Sequence, residues 1–240
     1  MYGLIGRPLG HSFSADFFNK KFENEGIDET YRLFPLDSIE MLPALLSAHP
    51  DLHGLNVTLP YKQAVIPFLN RIDADAREIG AVNVIKIHSD GTLEGFNSDA
   101  IGFHDSISPL IRPHMKRALV LGTGGASKAV VYVLRKMGIE VINVSRKPDE
   151  GQLSYNQLTP EIMERYHIIV NTTPLGMWPK IDDAPHIPYD LITADHLCYD
   201  LVYNPEITTF MRKAAMHGAE VKNGLEMLHG QAIAAWKIWN

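Results

Sequence analysis

Lys62 closes the stretch Asn56-Val-Thr-Leu-Pro-Tyr-Lys62, and it is the first candidate for chemistry in this chain. On a strand Asn56 and Thr58 would share one face, and Pro60 forces a break before the lysine. A lysine held beside a cleft loses solvation and can exchange protons near neutral pH. An ordinary surface lysine fits the same residues, because lysine is mostly exposed. Gly95-Phe-Asn-Ser-Asp-Ala-Ile-Gly102 supplies an isolated carboxylate, Asp99, whose plain alternative is the N-cap of the helix that follows. In Gly10-His-Ser-Phe-Ser14 two hydroxyls, Ser12 and Ser14, point the same way if the segment is extended, which suits a carboxylate near a helix N-terminus. Taken alone, those serines are better explained by simple capping.

A second chemistry is written in Gly122-Thr-Gly-Gly-Ala-Ser127, which follows an apolar strand and opens a helical pattern. Gly122, Gly124 and Gly125, with Ala126, allow a tight turn and let the backbone approach a pyrophosphate at the helix N-terminus. Ser127 stands where the usual third glycine would be, and a strand-turn-helix junction with no ligand remains an alternative. The following strand ends Val144-Ser145-Arg146-Lys147. An NAD site normally carries an acid there for the ribose 2′-hydroxyl, whereas two cations and a hydroxyl suit a 2′-phosphate. The reading is NADP, against a solvated basic turn, and Asp149 keeps some NAD use open.

The elements that must position these residues follow from punctuation and period. A helix is expected from Ser14 to Glu25, capped by Ser12 or Ser14 and stopped by Gly26. Strands are expected over Leu55–Leu59 and Ala81–Ile87, the latter running into a turn at Ser89-Asp-Gly-Thr92. From Arg117 the rhythm is β-α-β: strand Arg117–Leu121, the glycine turn, helix Lys128–Met137 closed by Gly138, and strand Glu140–Val144. Further strands are expected at His167–Val170, His196–Leu201 and Ala219–Lys222, with Thr159-Pro160 opening a helix between them. Alternation of this kind predicts a parallel sheet covered on both faces. A final amphipathic helix, Leu225–Trp239, is expected to return to the first domain. The fold class is therefore α/β: an N-terminal α/β substrate domain and a Rossmann-type doubly wound parallel sheet, with a cleft between them. The expected boundaries are 1–98 with 224–240 for the substrate domain and 99–223 for the nucleotide domain.

Composition narrows the partners. The chain has 240 residues, 45% hydrophobic and 21% charged, enough to bury a core without staples. A net charge of −6 with scattered Lys and Arg argues against nucleic acid. No apolar run approaches a membrane span, and the N-terminal residues lack a signal-peptide pattern, so a cytoplasmic location is expected. The single cysteine, Cys198, reads as a buried strand residue, and the 11 histidines are dispersed without metal-ligand spacing, so no metal is expected.

The residues together resemble the shikimate dehydrogenase family over nearly the full length. The resemblance is carried by Gly10-His-Ser-Phe-Ser14, Asn56-Val-Thr-Leu-Pro-Tyr-Lys62, Gly80-Ala-Val-Asn83 and Asn97-Ser-Asp99. It continues in Gly122-Thr-Gly-Gly-Ala-Ser127, Asn171-Thr-Thr-Pro-Leu-Gly176, Tyr203-Asn-Pro205 and Gly224-Leu-Glu-Met-Leu-His-Gly-Gln231. It implies reversible NADPH-dependent reduction of 3-dehydroshikimate to shikimate, a step toward chorismate and the aromatic amino acids. Ser12, Ser14 and Tyr203 would hold the substrate carboxylate, and Thr58, Asn83, Asp99 and Gln231 its ring hydroxyls. Lys62, paired with Asp99, would be the catalytic acid and base. Arg146 would grip the 2′-phosphate with Ser145 and Lys147 nearby, while Thr172, Leu201, Gly224 and Met227 would border the cofactor. Ser145 departs from the asparagine of many relatives. A quinate/shikimate dehydrogenase with relaxed dinucleotide choice, and a non-catalytic NADP-binding regulator, are the alternatives. The expected partner is a small molecule, with the chain a monomer or homodimer.

Overall fold

Short runs of β-branched and aromatic residues, broken by glycine and proline, build the first half of the chain. In the computed structural model, which describes residues 1–10 and 12–240, these runs become six strands. They are β1 (Tyr2–Gly6), β2 (Tyr31–Pro35), β3 (Gly54–Val57), β4 (Arg71–Ile72), β5 (Val84–Ile87) and β6 (Leu93–Phe96). His11, inside the Gly10–Ser14 stretch, lies outside the described residues. Helices α1 (Phe13–Glu25), α2 (Leu42–Ala48), α3 (Tyr61–Ala64) and α4 (Ala74–Ile79) connect the strands. The sheet runs β2-β1-β3-β5-β6-β4, with β1 parallel to β2 and β3, and β5 antiparallel to β3 and β6. Period-two alternation assigns its faces. Ile5, Leu55, Val57 and Ile85 pack into one core with Leu42 and Val65. Tyr2, Leu4 and Val84 enter another with Phe18, Phe22 and Tyr31.

The rest of the chain alternates helix and strand. It comprises α5 (Ser98–Ile107), β7 (Arg117–Leu121), α6 (Gly125–Lys136), β8 (Glu140–Ser145), β9 (Leu153–Ser154) and α7 (Pro160–Arg165). It ends with β10 (Ile168–Asn171), β11 (Leu197–Asp200), α8 (Thr209–Ala215), β12 (Glu220–Lys222) and α9 (Leu225–Trp239). The six strands form one wholly parallel sheet in the order β12-β11-β10-β7-β8-β9. Leu119, Leu121, Ile169 and Cys198 lie in a core beneath it with Phe210 and Met211. Cys198 has no exposed surface, as its apolar run implied.

The chain packs as two units, residues 1–98 with 231–240, and residues 99–230. The end of α9 seats in the first: Ala232, Ala235 and Trp239 join the aromatic core, and Trp239 Nε1 donates to the Ile85 carbonyl at 3.0 Å. Gly54 has no side chain because a Cβ would meet the Trp239 indole.

Several boundaries differ from expectation, each for a local reason. The strand expected to reach Leu59 stops at Val57, because the Thr58 carbonyl accepts from Tyr61 N (2.9 Å) and so starts the turn into α3. The strand expected from Ala81 begins at Val84, because Val82 N donates to the Lys62 carbonyl at 2.7 Å. Helix α6 starts three residues early, at Gly125. Ser14 lies inside α1 rather than in an extended segment, so Ser12 and Ser14 do not alternate on a strand face. Ser12 is the N-cap residue by backbone position, without a side-chain cap bond.

Candidate active site

In the first unit, strand polarity gathers the expected residues at one sheet edge. Strands β1 and β3 are parallel, so the segments leading to Ser12 and to Thr58 leave the sheet at the same edge. Strand β5 is antiparallel to β3, which brings its approach residue Asn83 to that edge, and β6 returns there to reach Asn97 and Ser98. The backbone ties the edge together: Thr58 N donates to Ile5 O at 2.9 Å, and Val57 N to Asn83 O at 2.8 Å. Gly6 is bare because a Cβ would strike the Thr58 methyl. Lys62, half-buried in α3, leaves this edge one turn after Thr58.

Three amides and two hydroxyls stiffen this edge. Asn83 is buried; its Oδ1 accepts from Ser98 N at 2.7 Å and its Nδ2 donates to Ser98 Oγ at 3.1 Å. Ser98 Oγ in turn lies 3.5 Å from Gln231 Oε1. Asn83 therefore fixes the start of α5, whose second residue is Asp99. That position within the helix shows that Asp99 is not the N-cap. The carboxylate is buried, and the residue opens the second unit, whereas Lys62 belongs to the first. On the far side of β3, the Tyr31 hydroxyl donates to Asn56 Oδ1 at 2.7 Å. Burial pushes the Tyr31 phenol strongly up, against a smaller opposing hydrogen bond with Ser14. Tyr31 is a residue that sequence reasoning did not single out.

In the second unit the expected cofactor residues Gly122, Ser145, Thr172, Leu201 and Gly224, with the expected substrate residue Tyr203, lie at the C-terminal edge of the parallel sheet. Gly122 follows β7, Ser145 ends β8, Thr172 follows β10, Leu201 and Tyr203 follow β11, and Gly224 follows β12. The order reverses between β7 and β10, and a crevice at that edge is where a doubly wound sheet receives ligands. Gly122 adopts φ +110°, a region that favours glycine, and an added Cβ would come within 2.8 Å of Thr172 Oγ1. Thr172 Oγ1 itself donates to the Leu121 carbonyl at 2.6 Å. Thr123 and Gly124 are exposed, Gly124 is the N-cap of the 12-residue helix α6, and Gly125 and Ala126 form its first turn. A bare turn opening a long helix fits a pyrophosphate.

The end of β8 fits a phosphate as well. Ser145 Oγ accepts from Lys147 N at 3.2 Å and donates to Lys147 O at 3.1 Å, folding the turn so that Arg146 and Lys147 stand exposed. Ser145 therefore shapes the turn with its hydroxyl. Gly224 is buried against the Leu201 carbonyl, where no Cβ fits, and Met227 is buried one turn along α9. Among the described residues there is no cluster of His, Cys, Asp or Glu suited to a metal ion. No helix is long and apolar enough to cross a membrane, again among the described residues.

Two polar groups near this edge were missed. Asp200, ending β11 with no exposed surface, accepts from Thr208 Oγ1 (2.6 Å), Asn171 Nδ2 (2.9 Å) and Val202 N (3.0 Å). Burial outweighs these bonds and raises its carboxyl to about 6. Asn171 Oδ1 accepts from Thr173 N and Oγ1, so one network braces the loops after β10 and β11. The second group is Asn143 on β8. A polar residue within a β-branched strand was the available signal for it.

A parallel sheet with a glycine turn at its switch point and two cations ending the next strand defines a Rossmann-type dinucleotide-binding protein. Comparison with known proteins gives the family. The family described as "Shikimate dehydrogenase substrate binding domain" matches residues 4–85. The shikimate dehydrogenase (NADP(+)) of Clostridium beijerinckii is 40% identical, covering 99% of this chain and 91% of that protein. The crystal structure of shikimate dehydrogenase from Aquifex aeolicus superposes with a TM-score of 0.88 at 38% identity, covering 100% of this chain and 91% of its own. The Thermus thermophilus enzyme, solved with NADP(H) and shikimate, gives 0.87 at 32% identity, covering 100% and 92%. The chain belongs to the shikimate dehydrogenase family.

Proposed function

We propose that this chain is an NADP-dependent oxidoreductase that reversibly reduces 3-dehydroshikimate to shikimate. One observation carries the reading: the glycine turn, the Ser145-Arg146-Lys147 turn, Thr172 and Gly224 all lie on the C-terminal edge of one parallel sheet. Full-length similarity to shikimate dehydrogenases, including one solved with NADP(H) and shikimate, supports the substrate. The bound dinucleotide supplies the hydride.

Reducing a ketone builds negative charge on its oxygen. Lys62, as an ammonium, stabilises that charge and donates the proton, then accepts it back in the oxidation direction. Asp99 pairs with Lys62 and accepts from a neighbouring ring hydroxyl. Ser12 and Ser14 donate to the substrate carboxylate with help from Tyr203, and Thr58, Asn83 and Gln231 read the ring hydroxyls. Such neutral donors and acceptors suit a polyol, because an analogue lacking one hydroxyl leaves buried groups unpaired. Arg146 and Lys147 hold the 2′-phosphate, Arg146 through paired bonds.

The test is direct. Purified protein mixed with shikimate and NADP⁺ at neutral to alkaline pH is expected to generate NADPH absorbance. Dinucleotide binding without turnover on shikimate would instead point to a regulator that keeps the fold.

A further inference from the structure

Ser127 breaks the glycine fingerprint, and Asn143 breaks the apolar pattern of β8; the two meet at one atom. Ser127 is buried at 1% exposure in the first turn of α6, and its Oγ donates to the Gly122 carbonyl at 2.8 Å. Asn143 lies on β8 in register with Val120 of β7. Its Nδ2 donates both to the Gly122 carbonyl at 2.8 Å and to Ser127 Oγ at 2.9 Å. The carbonyl thus takes two donors, from two different elements, and the donors are bonded to each other.

The consequence follows from peptide geometry. A trans peptide is planar, so its C=O and N–H point in opposite directions. With the Gly122 oxygen held back toward β8 and α6, the Thr123 N–H of the same peptide is aimed outward, at the exposed tip of the turn. Gly122 at φ +110° uses a region that glycine reaches without strain, and the clamp fixes which way the peptide after it faces. Asparagine is disfavoured within strands, and here its amide has a specific task. We propose that Asn143 and Ser127 are positioning residues for the dinucleotide, locking the Gly122–Thr123 peptide so that its N–H meets the pyrophosphate. This rests on the NADP reading above.

The test compares Asn143→Val and Ser127→Ala with the parent protein. NADP⁺ binding is read by calorimetry, and steady-state rates are read with each substrate varied in turn. Each variant is expected to raise the NADP⁺ Kd and KM by about 3- to 10-fold, the loss expected for one hydrogen bond. The double variant should lose less than the product of the two, because both bonds share one carbonyl. KM for shikimate and kcat at saturating NADP⁺ should hold. A purely structural role would lower thermal stability and leave the NADP⁺ constants alone, and folded variants with parental NADP⁺ affinity would overturn the inference. Ser127→Ala, which removes a single oxygen, keeps the test decisive if Asn143→Val does not fold. A parent protein that binds no NADP⁺ would overturn the underlying reading and this inference with it.

Discussion

Asp200 shows how burial and hydrogen bonding compete at a single residue. Three donors favour its charged form, yet removal from water wins and lifts the carboxyl from 3.8 to about 6. Between those values the folded protein holds a proton that the unfolded chain has released, so stability falls as pH rises from about 4 to about 6 and is flat above. The shift corresponds to a cost on the order of 3 kcal/mol at pH 7. Asp200→Asn, which cannot ionise, is expected to gain stability relative to the parent as pH rises across that window. Urea midpoints of both proteins at pH 4.5 and 7.5 check this, and an unchanged difference would contradict it. His196 acts with the opposite sign. Its buried ring, accepting from Thr193 N and facing the Met163 carbonyl, has a lowered pKa, so stability is lost as pH falls below 6.5. For the proposed chemistry the residue to test first is Lys62. Lys62→Ala is expected to lower kcat by roughly 10²- to 10⁴-fold, with little change in dinucleotide affinity. Stopped-flow and binding measurements would show the split, and near-parental turnover would remove Lys62 from the acid-base role.

At the scale of elements, the turn that ends β8 is the proposed seat of cofactor choice. Ser145 folds it through its own hydroxyl, and Arg146 and Lys147 are left facing solvent. Arg146→Ala should raise KM for NADP⁺ by about 10- to 100-fold, the range of charge-assisted hydrogen bonds, and leave KM for NAD⁺ nearly unchanged. Equal losses with both dinucleotides would place Arg146 elsewhere than at the 2′-phosphate. This turn was legible in the sequence because a β-α-β rhythm puts the end of the second strand at a known distance from the glycines. Strand β7 and helix α9 were legible for a related reason: their apolar patterns run unbroken from Arg117 to Leu121 and from Leu225 to Trp239. The first unit was harder to read. Its strands are four or five residues long with a two-residue edge strand, and their ends are set by tertiary bonds such as Val82 N to the Lys62 carbonyl. Period alone cannot reveal such bonds. The same limit hid Tyr31 and Asn143, whose partners lie 12 or more residues away.

The molecule as a whole depends on its last helix. Helix α9 begins in the second unit and ends in the first, where Trp239 is 6% exposed among Tyr2, Phe18 and Tyr31. Trp239→Ala would empty that site and leave the Ile85 carbonyl without its indole donor. A loss of about 3–5 kcal/mol is expected, read as a lowered urea midpoint, and a change below about 1 kcal/mol would show that the C-terminal turn is dispensable. The chemistry assigned to the whole chain is narrower than its fold, because related α/β sheets serve many substrates. It is tested most directly by comparing kcat/KM for shikimate and quinate, each with NADP⁺ and with NAD⁺, on one preparation. Shikimate with NADP⁺ is expected to be the most efficient pair by a wide margin. Equal or better efficiency with quinate or with NAD⁺, or no turnover of shikimate at all, would contradict it.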